Sequence, residues 1–221
     1  MNILAIDTAT EACSAAVLRA DGALFDVFEI APRRHATLLP AMIEQVLDAA
    51  AIAKTELTHC AFTNGPGAFT GIRIAAAQAQ GIGLGLGIAL LPVSTLAVLA
   101  QTAIDRHGCR RPLAALDARM DEIYWAGYER GANGLARLRG RERLDRVEAI
   151  EIDAATDFGA GHGWTEALRG RAEFEVVPQL LPAAKSMLGL AAAAARAGGG
   201  VDAAAIGINY LRNRVAEKSA P

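Results

Sequence analysis

The sequence has no C-x-x-C pair, no histidines at helical spacing and almost no serine. Its three cysteines, Cys13, Cys60 and Cys109, are odd in number and far apart. They imply neither a disulfide framework nor a cysteine zinc site, and fit reduced thiols in a cytosol. The four histidines, at 35, 59, 107 and 162, include no pair three or four residues apart, so no helix face carries a metal site. Four serines, none within G-x-S-x-G, leave a serine hydrolase or peptidase without a nucleophile and base. A basic excess is also missing. The net charge of -2 argues against a chain that grips a phosphate backbone alone, because that needs a basic stripe to release counterions. Arginines gather between Arg130 and Arg146, but Glu142 and Asp145 interleave with them, which reads as a solvated face. The start, Met1 to Asp7, lacks a basic region and reaches a carboxylate early, so it reads as a strand and not a signal peptide.

What is present is apolar bulk. Of 221 residues, 52% are hydrophobic and 21% charged, which suits a folded chain of two lobes sharing an interface. From Ile74 to Ile104 no residue is charged, a length that could span a bilayer. Gln78, Gln80 and Gln101, the glycines at 81, 83, 85 and 87, and Pro92 instead divide it into a buried helix, strand and helix. No membrane association is expected.

Strands are expected at Ile3 to Asp7, Ser14 to Leu18 and Ala23 to Ile30, the last two joined by an Ala20-Asp21-Gly22 turn. A helix from Thr37 to Ala51 places apolar residues at helical spacing, with Pro40 in its first turn. A strand from His59 to Thr63 feeds a glycine loop, and a helix starts near Thr70 and fades at the glycines after Gln80. A strand from Ile88 to Val93 and a helix capped by Ser94 and stopped by Gly108 complete the first half. Beyond a boundary between Asp105 and Arg111, strands at Leu113 to Leu116 and Ile123 to Glu129 flank a turn, a second hairpin passes Gly131 and Gly134, and a helix spans Ala183 to Ala197. No internal repeat is visible. The order β-β-β-α-β-α-β-α predicts an α/β fold with a mixed sheet, ribonuclease-H-like or actin-like. The lobes divide as 1–106 and 107–221, with the C-terminal segment free to return to the first.

The loop from Asn64 to Arg73 leaves a strand and opens a helix, where backbone N–H groups and the helix dipole favour an anion. It is not a Walker loop, since no lysine follows the last glycine. Gly65, Gly67, Thr70, Gly71 and Arg73 are therefore candidate anion or nucleotide contacts, against a structural turn in which Thr70 caps the helix and Gly71 permits close packing. Arg73 opposes the dipole of its helix, which hints at a carboxylate or phosphate partner. Asp7 ends the first strand, and is either a residual nucleotide contact or a satisfied carboxylate. Gly159 to Trp164 is a glycine-rich loop in which His162 is either near a ligand or structural.

These segments together resemble the TsaB (YeaZ) family. The resemblance rests on Ile6-Asp7-Thr8-Ala9-Thr10, His35 with Leu38-Leu39-Pro40, Gly65 to Arg73, Val93-Ser94-Thr95-Leu96, Asp117-Ala118-Arg119-Met120 with Tyr124-Trp125, and Tyr210-Leu211-Arg212-Asn213. It spans nearly the whole chain; Ala68 stands where serine is common, and residues 130–182 match poorly. It implies an actin-like ATPase-type fold with a reduced second lobe, and a cytoplasmic, non-catalytic partner of the TsaD catalytic subunit. With the TsaE ATPase, that complex transfers threonylcarbamoyl to adenosine 37 of tRNA. On this reading the chain has no catalytic residue, metal or cofactor of its own, ATP or threonylcarbamoyl-adenylate is bound by the partner complex, and tRNA is met only through it. Leu39, Met42, Ile43, Val46, Ile72, Ala75, Ala76 and Ala79 are expected to line an apolar strip for the partner, or for a second copy in a homodimer; otherwise the strip faces the chain's own second lobe. The alternative function is a small-molecule kinase or ATPase using Asp7 and the glycine loop.

Overall fold

The computed structural model of the chain describes residues 1–212; Asn213, which closes the C-terminal match, lies outside them. Three strands open the chain: β1 (Ile3–Asp7), β2 (Ala12–Leu18) and β3 (Leu24–Ile30). They pair antiparallel, β1 to β2 and β2 to β3. β1 and β2 are buried on both faces, which explains their continuous apolar runs. Gly22 turns the β2–β3 hairpin at a φ of +90°, open to a residue without Cβ.

The helix α1 (His35–Ala50) turns Leu39, Met42, Ile43, Val46, Leu47 and Ala50 inward. It starts earlier than the periodicity suggests, so Pro40 falls beyond the first turn. Ala36, whose carbonyl loses its amide partner there, is exposed. β4 (His59–Thr63) and β5 (Ala89–Val93) then add in parallel beside β1, giving the order β3-β2-β1-β4-β5. Between them, α2 (Phe69–Leu86) does not fade at its glycines but runs to a left-handed cap at Gly87. The reason is packing: a Cβ on Gly83 would come within 2.9 Å of Leu90 and 3.1 Å of Ala203, and this tertiary contact outweighs poor helix propensity. α3 (Thr95–His107) is capped by the Ser94 hydroxyl, which accepts the Ala97 N–H at 3.3 Å, and ends at Gly108 with φ +67°.

The chain passes to a second sheet between His107 and Pro112. β6 (Pro112–Arg119), β7 (Glu122–Arg130) and β8 (Ala136–Arg146) are antiparallel, and β9 (Phe158–Ala160) and β10 (Glu175–Val177) add in parallel. The order β10-β9-β6-β7-β8 repeats that of the first sheet, strand for strand and direction for direction. The sequence shows no such repeat, yet the topology is duplicated. Reduction of the second lobe lies in its lengths, with β9 and β10 of three residues each and a helix α4 (Glu166–Arg169) of four, while the strand set is complete. This is the actin-like, ribonuclease-H-like fold.

Four apolar layers join the parts. α1 and α2 cover one face of the first sheet. α5 (Ala184–Arg196) returns from the second lobe to cover the other, with Met187, Leu188 and Ala191 against Ile3, Ala5 and Ala61. α3 faces the second sheet through Leu96, Leu99 and Ala103, and that sheet's far side closes on Trp164 and Leu168. Among the described residues no helix is long and apolar enough to cross a membrane.

Candidate functional site

Asp7 ends β1 with its carboxylate fully buried. One oxygen accepts the Ala9 N–H at 3.0 Å and the Thr63 hydroxyl at 2.6 Å; the other has no partner among the described residues. Burial pushes its pKa up to about 6, against the pull of those two hydrogen bonds. Beside it the loop glycines are pressed against the chain itself. A Cβ would stand 2.7 Å from the Asn209 carbonyl oxygen at Gly65, 2.5 Å from that of Ala9 at Gly67, and 2.0 Å from that of Thr8 at Gly71. The Ala68 N–H donates to the Ala9 carbonyl at 2.8 Å, and the Thr8 hydroxyl donates to the Gly71 carbonyl at 2.7 Å. Asp7, Gly65, Gly67 and Gly71 are thus brought together, with backbone carbonyls of Asn209, Ala9 and Thr8 on the side of each glycine where a Cβ would project.

Two details of this loop differ from the sequence expectation. Thr70 does not cap α2, which begins one residue earlier behind Ala68 and makes no side-chain cap bond. Arg73 finds aromatic partners in place of an anion: its guanidinium lies 3.6 Å from the Phe69 ring centre, and its Nε donates to the Tyr210 hydroxyl at 3.0 Å. Stacking of this kind is worth about 0.5–1 kcal/mol at an exposed site.

Tyr210 belongs to a C-terminal strap that ties the lobes together. Val201 exchanges two backbone hydrogen bonds with Leu90, and the Asn209 N–H donates to the Asn64 carbonyl at 2.8 Å. The Asn209 amide also donates to Glu142 at 3.0 Å, and the same carboxylate accepts the Tyr128 hydroxyl at 2.9 Å and the Ser94 hydroxyl. Glu142 therefore joins β7, β8, the cap of α3 and the strap. Further on, Arg212 donates to the Ala118 carbonyl at 3.0 Å and to the Glu122 carboxylate. It thereby holds a β6–β7 turn in which Arg119, Met120 and Asp121 all have φ near +60°, a conformation costly for residues with a side chain. The His162 loop is packed as well. A Cβ on Gly161 would lie 2.3 Å from the Ala115 carbonyl oxygen, and the His162 Nδ1 accepts the Asp117 N–H at 3.0 Å. Burial holds this imidazole below its ordinary range, against the opposing pull of Glu11 and Asp117.

The helices correct the expected partner strip. Leu39, Met42, Ile43, Val46, Ile72, Ala75, Ala76 and Ala79 are each at most 5% exposed and, apart from Ile72, join one cluster with Leu4, Ile6, Val17 and Phe62 of the first sheet. Helical spacing locates an apolar face, and here that face meets the chain's own sheet, not its second lobe. A groove of about 260 Å³ between α1 and α2 shares Ile43 with that strip and is otherwise lined by Pro40, Leu47, Leu57, Ile82 and Leu86, together with Gln78 and the Glu44–Lys54 ion pair. Gly81 and Gly85 also line it, and a Cβ on either would meet nothing within 4 Å. Sequence reading missed this groove because it took the glycines for breakers. It also reads Glu142 as part of a solvated face, gives Arg212 no role beyond the family match and does not single out Asn209, because their partners Ser94, Asn209 and Glu122 lie far along the chain.

The chain is similar over its whole length to proteins of one family. The profile of a family described as TsaD, tRNA N6-adenosine threonylcarbamoyltransferase, matches residues 27–217. The tRNA threonylcarbamoyladenosine biosynthesis protein TsaB of Escherichia coli K12 is 38% identical over 229 aligned positions, covering 100% of this chain and 99% of that one. The protein of the same name from Haemophilus influenzae is 35% identical over 57% of this chain and 53% of its own length. Among solved structures, YeaZ from Pseudomonas aeruginosa superposes with a TM-score of 0.89 at 41% identity, covering 95% of this chain and 99% of that one. A second, an uncharacterized protein with similarity to peptidase YEAZ from the same organism, has the same TM-score at 42% identity over 96% and 99%.

Proposed function

The chain belongs to the TsaB (YeaZ) family of tRNA threonylcarbamoyladenosine biosynthesis proteins, and from that premise we propose that it is the non-catalytic partner of the TsaD subunit, docked through the α1–α2 groove. The groove carries the reading. It is mostly apolar, with the Glu44–Lys54 ion pair and Gln78 as its polar lining, and two glycines leave room for another helix to approach closely. Helix pairs that meet over small residues bring their backbones near enough for dispersion contacts along the whole seam. An apolar face of this kind is a liability unless something covers it. In the absence of TsaD the same face pairs with a second copy about a two-fold axis.

A kinase or ATPase reading would need Asp7 and the glycine loop to face a nucleotide. The packing of Thr8, Ala9 and Asn209 against those glycines speaks for a structural loop instead. ATP and threonylcarbamoyl-adenylate then belong to the partner complex, which also includes the TsaE ATPase, and tRNA is met within it. The cytoplasm is the site of action.

The test is reconstitution. Threonylcarbamoylation of a tRNA transcript by TsaD and TsaE should require this chain, and Gly81→Trp should abolish the stimulation while the variant stays folded. Full activity without the chain, or with Gly81→Trp, would refute the reading. Tight ATP binding by the isolated chain, lost in Asp7→Ala, would favour the ATPase.

A further inference from the structure

Two concavities of about 780 and 910 Å³ on the second sheet adjoin at Arg111, Glu129 and Arg137, forming a furrow along β7 and β8. β8 lines it with Arg137, Arg139, Arg141 and Arg143. Gly140, at φ +83°, bulges β8 between Arg139 and Arg143 and interrupts the alternation there, yet all four arginines line the same furrow. Some of that charge is neutralised: Arg137 pairs with Glu129, and Arg139 with Asp153 at 2.6 Å. Among the described residues, no carboxylate lies within 4.0 Å of Arg110, Arg111, Arg130, Arg141 or Arg143, though Arg111 is close enough to Glu129 and Asp153 to help hold both carboxyls below their ordinary range. The Arg143 guanidinium lies 5.4 Å from the Trp125 ring centre, which steadies the group while leaving its N–H edge free for a ligand. Over the whole furrow seven arginines face four carboxylates, in a chain whose net charge is -2.

We propose that this furrow binds the phosphate backbone of an RNA; that the RNA is the tRNA undergoing modification rests on the function proposed above. Planar guanidinium forks match phosphate oxygens in pairs, and charges repeated along a strand suit a ligand whose own charge repeats along its chain. Five furrow arginines without an ion-pair partner, in a chain of net charge -2, hold a phosphate backbone only weakly by themselves and best at low salt. The furrow lies on the second sheet, away from the α1–α2 groove on the first, so both are accessible at once. An acidic protein is the competing occupant.

Binding of a labelled tRNA transcript to the assembled complex, titrated from about 50 to 200 mM salt, tests the proposal. Replacing Arg111, Arg141 and Arg143 together by Gln should weaken binding at least about tenfold and flatten the log–log salt slope by about 2, near 0.7–0.9 for each phosphate no longer neutralised. Arg141→Gln alone, at an exposed position, should lower the slope by about one such step, and keeps the test valid if the triple variant folds poorly. Arg196→Gln on α5 should change neither. Unchanged affinity and slope would overturn the proposal, and so would loss of a protein subunit with tRNA affinity intact. If the wild-type chain fails to assemble with TsaD, the subunit reading fails. The same titration on the isolated chain at low salt then decides the furrow independently.

Discussion

Gly81 and Gly83 sit two residues apart in α2, yet alanine should act on them in opposite directions. At Gly81 an added Cβ meets nothing within 4 Å, so Gly81→Ala gains only the helix propensity that glycine forfeits, about 1 kcal/mol. In a chain of this length that raises Tm by about 2–4 °C. At Gly83 the Cβ would enter within 2.9 Å of Leu90 and 3.1 Å of Ala203, both buried. Overpacking costs about 1–3 kcal/mol, so after the propensity gain the variant loses up to about 2 kcal/mol. Thermal and urea unfolding of the two variants and the parent measure the separation. Equal shifts, or a loss at Gly81, would show that the outer face of α2 is already filled by the chain, and would remove the groove from the account. The same variants then report on docking: Gly81→Ala leaves room in the groove and should assemble nearly normally, whereas Gly81→Trp should not.

Three further perturbations probe the contacts of Asp7, Glu142 and Gly71. Asp7 holds its proton more tightly when folded, so its contribution to stability is greatest below the unfolded value near 3.8 and is lost as pH rises through about 6. Urea unfolding should therefore show Asp7→Asn gaining on the parent by about 2–3 kcal/mol between pH 4 and pH 7; parallel profiles would contradict the buried carboxyl. Glu142→Ala strands the hydroxyls of Ser94 and Tyr128 and the amide of Asn209, and should cost about 2 kcal/mol. Its effect should be non-additive with Asn209→Ala in a double-mutant cycle. Gly71→Ala drives a Cβ to 2.0 Å from the Thr8 carbonyl, a backbone clash that should cost more than about 3 kcal/mol and be visible as poor folded yield.

How far the sequence carries this structure depends on how local each signal is. The first sheet was legible, and β4 at His59–Thr63 has the bounds its apolar run implies, as does the Ser94 cap of α3. The start of α1 and the end of α2 were less so, because Pro40 and the glycines at 81, 83 and 85 act through tertiary packing. β9 and β10 escaped notice since three residues, two of them Gly159 and Ala160 in β9, cannot display a period. The duplicated topology is a property of strand pairing and leaves no trace in residue type. At the candidate site, the glycine loop stood out but its reason did not: whether a glycine makes room for phosphate or for the carbonyl of Thr8 is a question only the fold answers. The apolar helical positions share a face as their spacing implies, but the sequence reading gives that face to a partner while the structure packs it on the chain's own sheet, since periodicity names a face and not what covers it.

Hydrogen exchange of the chain with and without TsaD tests the central claim most directly. Docking at the α1–α2 groove predicts that added TsaD slows amide exchange in α1 and in α2 from Ala77 to Leu86, with β8 and its arginines unaffected until tRNA is present. Slowed exchange confined to the second sheet, with α1 and α2 unchanged, would contradict it.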